Sequence, residues 1–193
     1  MSEEKQLNTK PKIIKFIGFS GSGKTTLIES IVKELTLKGL NVATVKHDVH
    51  GLDIDKEGKD SYRYSEAGAN ISVVSSPDMT VYKVHKKLSL DEILFNIKDA
   101  DIIIIEGYSN EEGFPCICVA RKETGKGIKG DFNKISAIAS DYNEEELLNM
   151  GYSGKSFNIN KIDEIINFIK SIWGKFNELP LFFDFDLIVA LYA

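Results

Sequence analysis

Apolar residues change period several times along this chain, and the changes mark out alternating strands and helices. Residues 12–17 (Lys-Ile-Ile-Lys-Phe-Ile) form a short β-branched run stopped by Gly18, which predicts a buried strand. From Lys24 onwards Leu27, Ile28, Ile31, Val32 and Leu35 share one helical face, and Gly39 is placed to end that helix. Residues 41–46 (NVATVK) predict a second strand. Residues 47–60 are polar and without period, so they read as a loop long enough to carry function. A short helix over 61–67, ended by Gly68, precedes strands at 71–75 and 80–84. Ser89-Leu90-Asp91-Glu92 then fits a capping box, opening a helix to about Lys98.

The most apolar run follows, Asp101-Ile-Ile-Ile-Ile-Glu106-Gly107. Four consecutive isoleucines suit a strand covered on both faces, as the centre of a parallel sheet must be. Further strands are expected at 116–120, 135–139 and 156–159. A helix from about Lys161 to Ile172 closes the pattern with Ile162, Ile165, Ile166 and Ile169 on one face. This alternation predicts an α/β fold of three layers around a mostly parallel central sheet. The expected organisation is a flexible polar tail at 1–11, one domain over 12–172 and an apolar stretch at 173–193. That last stretch, ending LPLFFDFDLIVALYA, is too short to span a bilayer and too apolar to lie free in water, so it should pack on the domain or on a partner.

Composition narrows the classes. With 42% hydrophobic and 27% charged residues in 193, the chain is that of a soluble folded protein. A net charge of −5 provides no global positive field, which argues against a nucleic-acid partner. The start, MSEEKQLNTKPK, lacks the apolar segment of a secretory signal or membrane anchor, so a cytoplasmic location is expected. Cys116 and Cys118, two apart on an expected strand, read as packing residues rather than as a disulfide or metal site. Of 24 basic residues only Arg63 and Arg121 are arginine, which marks both as places where a planar, bidentate donor is wanted.

The chemistry begins at Gly18-Phe19-Ser20-Gly21-Ser22-Gly23-Lys24-Thr25, which matches G-x-x-x-x-G-K-[ST] at every fixed position, between a predicted strand and a predicted helix. Glycines permit the tight turn, backbone N–H groups form an anion nest, and the helix N-terminus favours phosphate. Lys24 is expected on the β- and γ-phosphates of a nucleoside triphosphate and Thr25 on Mg²⁺. Such a site needs a carboxylate from a neighbouring strand end. Glu106, at the carboxyl end of the isoleucine strand, is better placed than Asp101, which is expected to be a solvated charge at strand entry. The loop from Lys46 to Arg63 holds two histidines, four aspartates and one of the two arginines on the same side, as expected of a switch or a second-substrate site.

Together, GFSGSGKTTLIE, the loop KHDVHGLDIDKEGKDSYR leading into EAGA, and IIIIEGY followed by a strand ending VAR resemble the molybdopterin-guanine dinucleotide biosynthesis protein B (MobB) family over residues 12–172. The resemblance implies a P-loop NTPase fold, GTP and Mg²⁺ as ligands, a slow GTPase and a homodimer. It also implies an accessory role beside the molybdenum cofactor guanylyltransferase that attaches GMP to molybdopterin. Carried over by position, it implicates Gly21, Ser22, Gly23, Lys24, Thr25 and Thr26 in nucleotide binding, and Lys24, Asp55 and Glu106 in catalysis. It further implicates Lys46, His47, Asp60, Ser61, Arg63 and Arg121 in a second-substrate or switch function, and Lys59 and Gly107 as further positions of the family pattern. Val49-His50 stands where the family carries paired histidines and Glu57 where it carries proline, which puts in doubt any role of the first histidine.

Guanine recognition has two candidates. Asn160-Lys161-Ile162-Asp163 spells NKxD, but it follows the last expected strand, where Asn160 and Asp163 serve equally as helix caps. Base-reading loops of GTPases follow the strand before, which favours Asp141, after ISAIAS, over Asp163. Two other classes share the P-loop: a small-molecule kinase, against which no arginine-rich lid is found, and a metallochaperone GTPase, against which three His and two Cys provide no metal store.

Overall fold

The computed structural model describes residues 11–48, 51 and 56–176. The expected tail at 1–11 (all but its last residue), the apolar stretch beyond 176, Val49-His50 and Asp55 lie outside the described residues. In chain order the elements are β1 (Lys12–Ile17), α1 (Lys24–Leu37), β2 (Val42–Lys46), α2 (Asp60–Glu66), β3 (Ile71–Ser75), β4 (Thr80–Val84), α3 (Leu90–Asn96) and β5 (Ile102–Glu106). They continue with β6 (Cys116–Ala120), β7 (Ala137–Ser140), α4 (Glu144–Asn149), β8 (Ser156–Asn158) and α5 (Ile162–Phe176). They fall into two compact units, one of residues 1–47 with 99–193, the other of residues 48–98.

The first unit is built on a six-stranded sheet in the order β2-β5-β1-β6-β7-β8, every pair parallel. Ile102 to Ile105 are all buried because β5 lies between β2 and β1 with both faces covered. On one face Ile14 and Phe16 pack with Leu27, Ile31 and Leu35 of α1 and with Ile165, Ile166 and Ile169 of α5. The opposite face collects Ile17, Cys116, Cys118, Ile138, Leu147 of α4 and Tyr152. Helices on both faces make three layers around a parallel sheet, as the alternating pattern predicts.

Parallel strands bring all their carboxyl ends to one edge, so the segments after β1, β2, β5, β6 and β7 emerge on the same side. Both cysteines are free and buried, and burial pushes the Cys116 thiol up to about 11, which keeps it protonated and inert at neutral pH.

Three details depart from the sequence expectation. The strand expected at 135–139 begins instead at Ala137, because a 3-10 turn at Phe132–Lys134 takes Ile135 as its cap. The helix α4 was not expected; it is six residues long and rests on a capping box between Asn143 and Glu146 rather than on apolar periodicity. Asp101 is more than a solvated charge, since the Asn41 backbone N–H donates to its Oδ2 at 2.7 Å and so ties the entries of β2 and β5 together.

The second unit pairs β3 and β4 as an antiparallel ribbon, with Ile71 opposite Val84 and Val73 opposite Tyr82. Those four side chains share one face of the ribbon, and all are exposed, from 38% at Val84 to 71% at Tyr82. The other face carries Ser72, which is buried. α3 opens on the Ser89–Glu92 capping box expected from sequence.

Candidate nucleotide-binding site

The glycine-rich loop joins β1 to α1. Gly18 leaves the strand at φ 153° and has no room for a side chain: a β-carbon there would lie 2.3 Å from the Val119 carbonyl oxygen and 2.7 Å from Ser22 Oγ. Gly23 occupies the N-cap of α1 at φ 84°, offers no capping side chain, and the first turn holds no acidic residue. The first N–H groups of α1 and the positive end of its dipole are thus left to an external anion. Ser22 is buried, and among the described residues its Oγ has no hydrogen-bond partner. Thr25 and Thr26, exposed on the first turn, stand beside Lys24.

Lys24 Nζ donates to the carbonyl oxygens of Gly18, at 3.0 Å, and Phe19, at 2.7 Å, so it is curled over its own loop. Burial lowers its affinity for a proton below that of an ordinary lysine; Glu106 opposes the shift, while Lys129 and Lys46 add to it. An ammonium in that situation gains from a phosphate, which replaces two neutral acceptors with charged ones.

Thr25 Oγ1 lies 3.3 Å from each of Glu106 Oε1 and Oε2. Lys46, in register with Glu106 on the adjacent strand, brings Nζ to 3.8 Å from Oε1. A hydroxyl facing both oxygens of a carboxylate at the mouth of an anion nest offers hard oxygen ligands of the kind a divalent cation takes. Among the described residues no cluster of three or more His, Cys, Asp or Glu is placed to hold an ion.

Towards β6 and β7 the loop is flanked by Arg121. A β-carbon on Gly23 would lie 3.4 Å from Arg121 Nε and 3.6 Å from Ile159 Cδ1. Asp141 follows β7 directly, and its Oδ1 accepts a hydrogen bond of 2.9 Å from the Lys122 backbone N–H. The rival Asp163 is exposed in the first turn of α5, one strand further out, where a carboxylate complements the helix dipole.

The structure therefore gathers Gly21, Ser22, Gly23, Lys24, Thr25, Thr26, Lys46, Glu106, Arg121 and Asp141 on the carboxyl edge of one sheet. His47 does something local there. Its ring stacks on Tyr108, with centroids 4.6 Å apart, and its Cβ would meet a side chain at Gly107 at 3.1 Å, so the glycine of the IIIIEGY segment makes way for the histidine of the lysine-histidine loop. Asp60, Ser61 and Arg63 belong to the second unit. There Arg63 Nη1 stands 3.7 Å from Asp60 Oδ1 as an exposed pair one turn apart, and Lys59, Asp60 and Ser61 line a groove of about 860 Å³ between α2 and β3.

Two lysines near the loop were not foreseen. Lys129 Nζ stands 5.9 Å above the Phe19 ring, within the electrostatic reach of Lys24. Its signal was the GKGIKG spacing between β6 and β7, where Gly125, Gly127 and Gly130 all have positive φ. Lys15, buried on β1, donates to the carbonyl oxygens of Tyr108 and Glu111 and so pins the segment that follows Glu106. Its position inside an apolar strand was the only sign of it.

A parallel sheet in this order, with an anion nest between its first strand and first helix, defines a P-loop nucleotide-binding fold. The sequence model of MobB, molybdopterin guanine dinucleotide synthesis protein B, matches residues 13–141, and the chain belongs to this family. It is 31% identical over 169 residues to the molybdopterin-guanine dinucleotide biosynthesis adapter protein of Haemophilus influenzae, covering 86% of this chain and 91% of that protein. Identity to the probable molybdopterin-guanine dinucleotide biosynthesis adapter protein of Bacillus subtilis is 28% over 138 residues, covering 69% of this chain and 78% of that one. The crystal structure of Bacillus subtilis MobB superposes with a TM-score of 0.63 at 26% identity, covering 81% of this chain and 97% of that one.

Proposed function

We propose that this chain is a GTP- and Mg²⁺-binding adapter that assists the molybdenum cofactor guanylyltransferase in attaching GMP to molybdopterin. The observation that carries the proposal is the convergence of Lys24, Thr25 and Glu106 at the anion nest, in a member of a family whose relatives are named as adapters of this biosynthesis. Backbone N–H groups of residues 21–26 hold the phosphates, Lys24 swings from its own carbonyls to the β- and γ-oxygens, and Thr25 with Glu106 holds the metal. Mg²⁺, when bound, neutralises charge between the β- and γ-phosphates. In this proposal Glu106 also orients the water that attacks the γ-phosphate, and the slow GTPase activity is carried over from the family resemblance. The resemblance adds Asp55 to this catalytic group.

Asp141 reads the guanine edge. Its Oδ1 bond to Lys122 N fixes the carboxylate, and the lone pairs left on the two oxygens accept from the base. Lys46, His47, Asp60, Ser61 and Arg63 serve the second partner, the molybdopterin or the transferase. The exposed apolar face of the β3–β4 ribbon supports a homodimer, because an isolated two-stranded ribbon is marginal in water and a second copy of the same ribbon would cover Ile71, Val73 and Tyr82. Among the described residues no helix is long and apolar enough to cross a membrane, and the proposed partners are cytoplasmic.

The test is formation of the guanine dinucleotide cofactor by the purified transferase with molybdopterin and GTP. Addition of this protein should raise the yield, Lys24→Ala should not, and Arg63→Lys should bind GTP normally yet stimulate less, since the guanidinium fork is lost. No stimulation by the wild-type chain would overturn the proposal.

A further inference from the structure

We propose that Arg121 is the platform on which the base of the bound nucleotide lies, rather than a contact to the γ-phosphate or to a second substrate. This rests on the nucleotide-binding role proposed above and assigns the nucleoside end of that site. The metal end is defined by Thr25 and Glu106, with Lys46 beside them, at the ends of β5 and β2. A nucleotide whose terminal phosphates sit there must extend across β1 towards β6, β7 and β8, because the nest lies between the two sides of the sheet. Arg121 is the first residue after β6 on that far side. Its guanidinium is folded back onto the loop, with Nε 3.4 Å and Nη2 3.8 Å from the point where Gly23 would carry a β-carbon.

The environment matches a planar ligand. Arg121 is only partly exposed, and among the described residues its guanidinium pairs with no carboxylate, so charge compensation does not hold it in place. Ile159, nearly fully buried in the core, brings Cδ1 to 3.6 Å from the same point, so Arg121 lies against the apolar edge of the core at Gly23. The neighbouring residue, Lys122, gives its N–H to Asp141 Oδ1, which couples the segment carrying Arg121 to the carboxylate proposed to read the base edge. One group then takes the face of the purine and the other its edge. A guanidinium lies flat on a π-face and an ammonium does not, which explains why one of the chain's two arginines stands here amid so many lysines.

Calorimetry on Arg121→Lys and Arg121→Gln with GTP, GDP and inorganic tripolyphosphate, each with Mg²⁺, tests this. Both variants should bind GTP and GDP more weakly by a similar factor, about 3- to 30-fold, while tripolyphosphate affinity stays at the wild-type value and shows that the loop remains folded. Weakened tripolyphosphate binding would overturn the inference in favour of a phosphate contact, and so would a lysine variant that keeps full GTP affinity. Unchanged GTP affinity in both variants would also overturn it, leaving the nucleotide reading intact. Failure of the wild-type chain to bind GTP at all would instead bring down both.

Discussion

Gly18 and Gly21 stand three residues apart in the same loop, and the structure predicts very different consequences for Gly18→Ala and Gly21→Ala. At Gly18 the new methyl would sit 2.3 Å from the Val119 carbonyl oxygen, more than 1 Å inside ordinary contact distance of about 3.5 Å. That oxygen belongs to the buried strand β6, which is paired on both sides by β1 and β7 and has no room to retreat. Overpacking of this kind costs about 1–3 kcal/mol, and the φ of 153°, which L side chains rarely adopt, adds about 1–3 kcal/mol. At Gly21 the φ is 84° and nothing lies within 4 Å of the added carbon, leaving only the left-handed backbone cost of about 1–2 kcal/mol. Against a domain stability of about 5–15 kcal/mol, Gly18→Ala should take a large share and Gly21→Ala a small one. Urea denaturation without nucleotide reads the difference directly. Equal losses, or a larger loss at Gly21, would refute the contact with Val119 and with it the placing of the loop against β6.

Two further outcomes follow from the site and the ribbon. Asp141→Asn keeps an acceptor for Lys122 N but offers an amide donor towards the base, so GTP should lose about 1–3 kcal/mol while xanthosine triphosphate, which presents a carbonyl there, gains relative to it; competition binding checks this, and the same exchange seen at Asp163→Asn would move the base-reading role one strand outward. Val73→Lys with Tyr82→Lys places charge on the exposed apolar face of the ribbon, and sedimentation should show a wild-type dimer becoming a folded monomer; a variant that stays dimeric would place the interface elsewhere.

What could be read from the chain followed how local each cause is. The P-loop is specified by eight consecutive residues, and β5 by four isoleucines whose uniform burial requires the middle of a parallel sheet, so both were legible together with the position of Glu106 at the strand end. The capping box at Ser89 was equally local. α4 escaped because six residues with only Leu147 buried carry no period, although Asn143 and Glu146 spelled its cap. The placing of Arg121 against Gly23 depends on β6 lying beside β1, which follows from strand order and not from spacing along the chain. The same holds for Lys129 over Phe19 and for Asp101 joining β2 to β5. In each case the chemistry of the residue was visible, while its partner was fixed by tertiary packing.

The central claim is that Lys24 and Thr25 divide the binding of a Mg²⁺-complexed nucleoside triphosphate between phosphate and metal. Titration calorimetry of GTP into the wild-type chain, Lys24→Ala and Thr25→Ala, each with Mg²⁺ and with a chelator, tests it most directly. Wild type should bind more tightly with Mg²⁺, Lys24→Ala should bind weakly in both conditions, and Thr25→Ala should match wild type in chelator but lose the Mg²⁺ increment. Unchanged affinity in both variants would contradict the account.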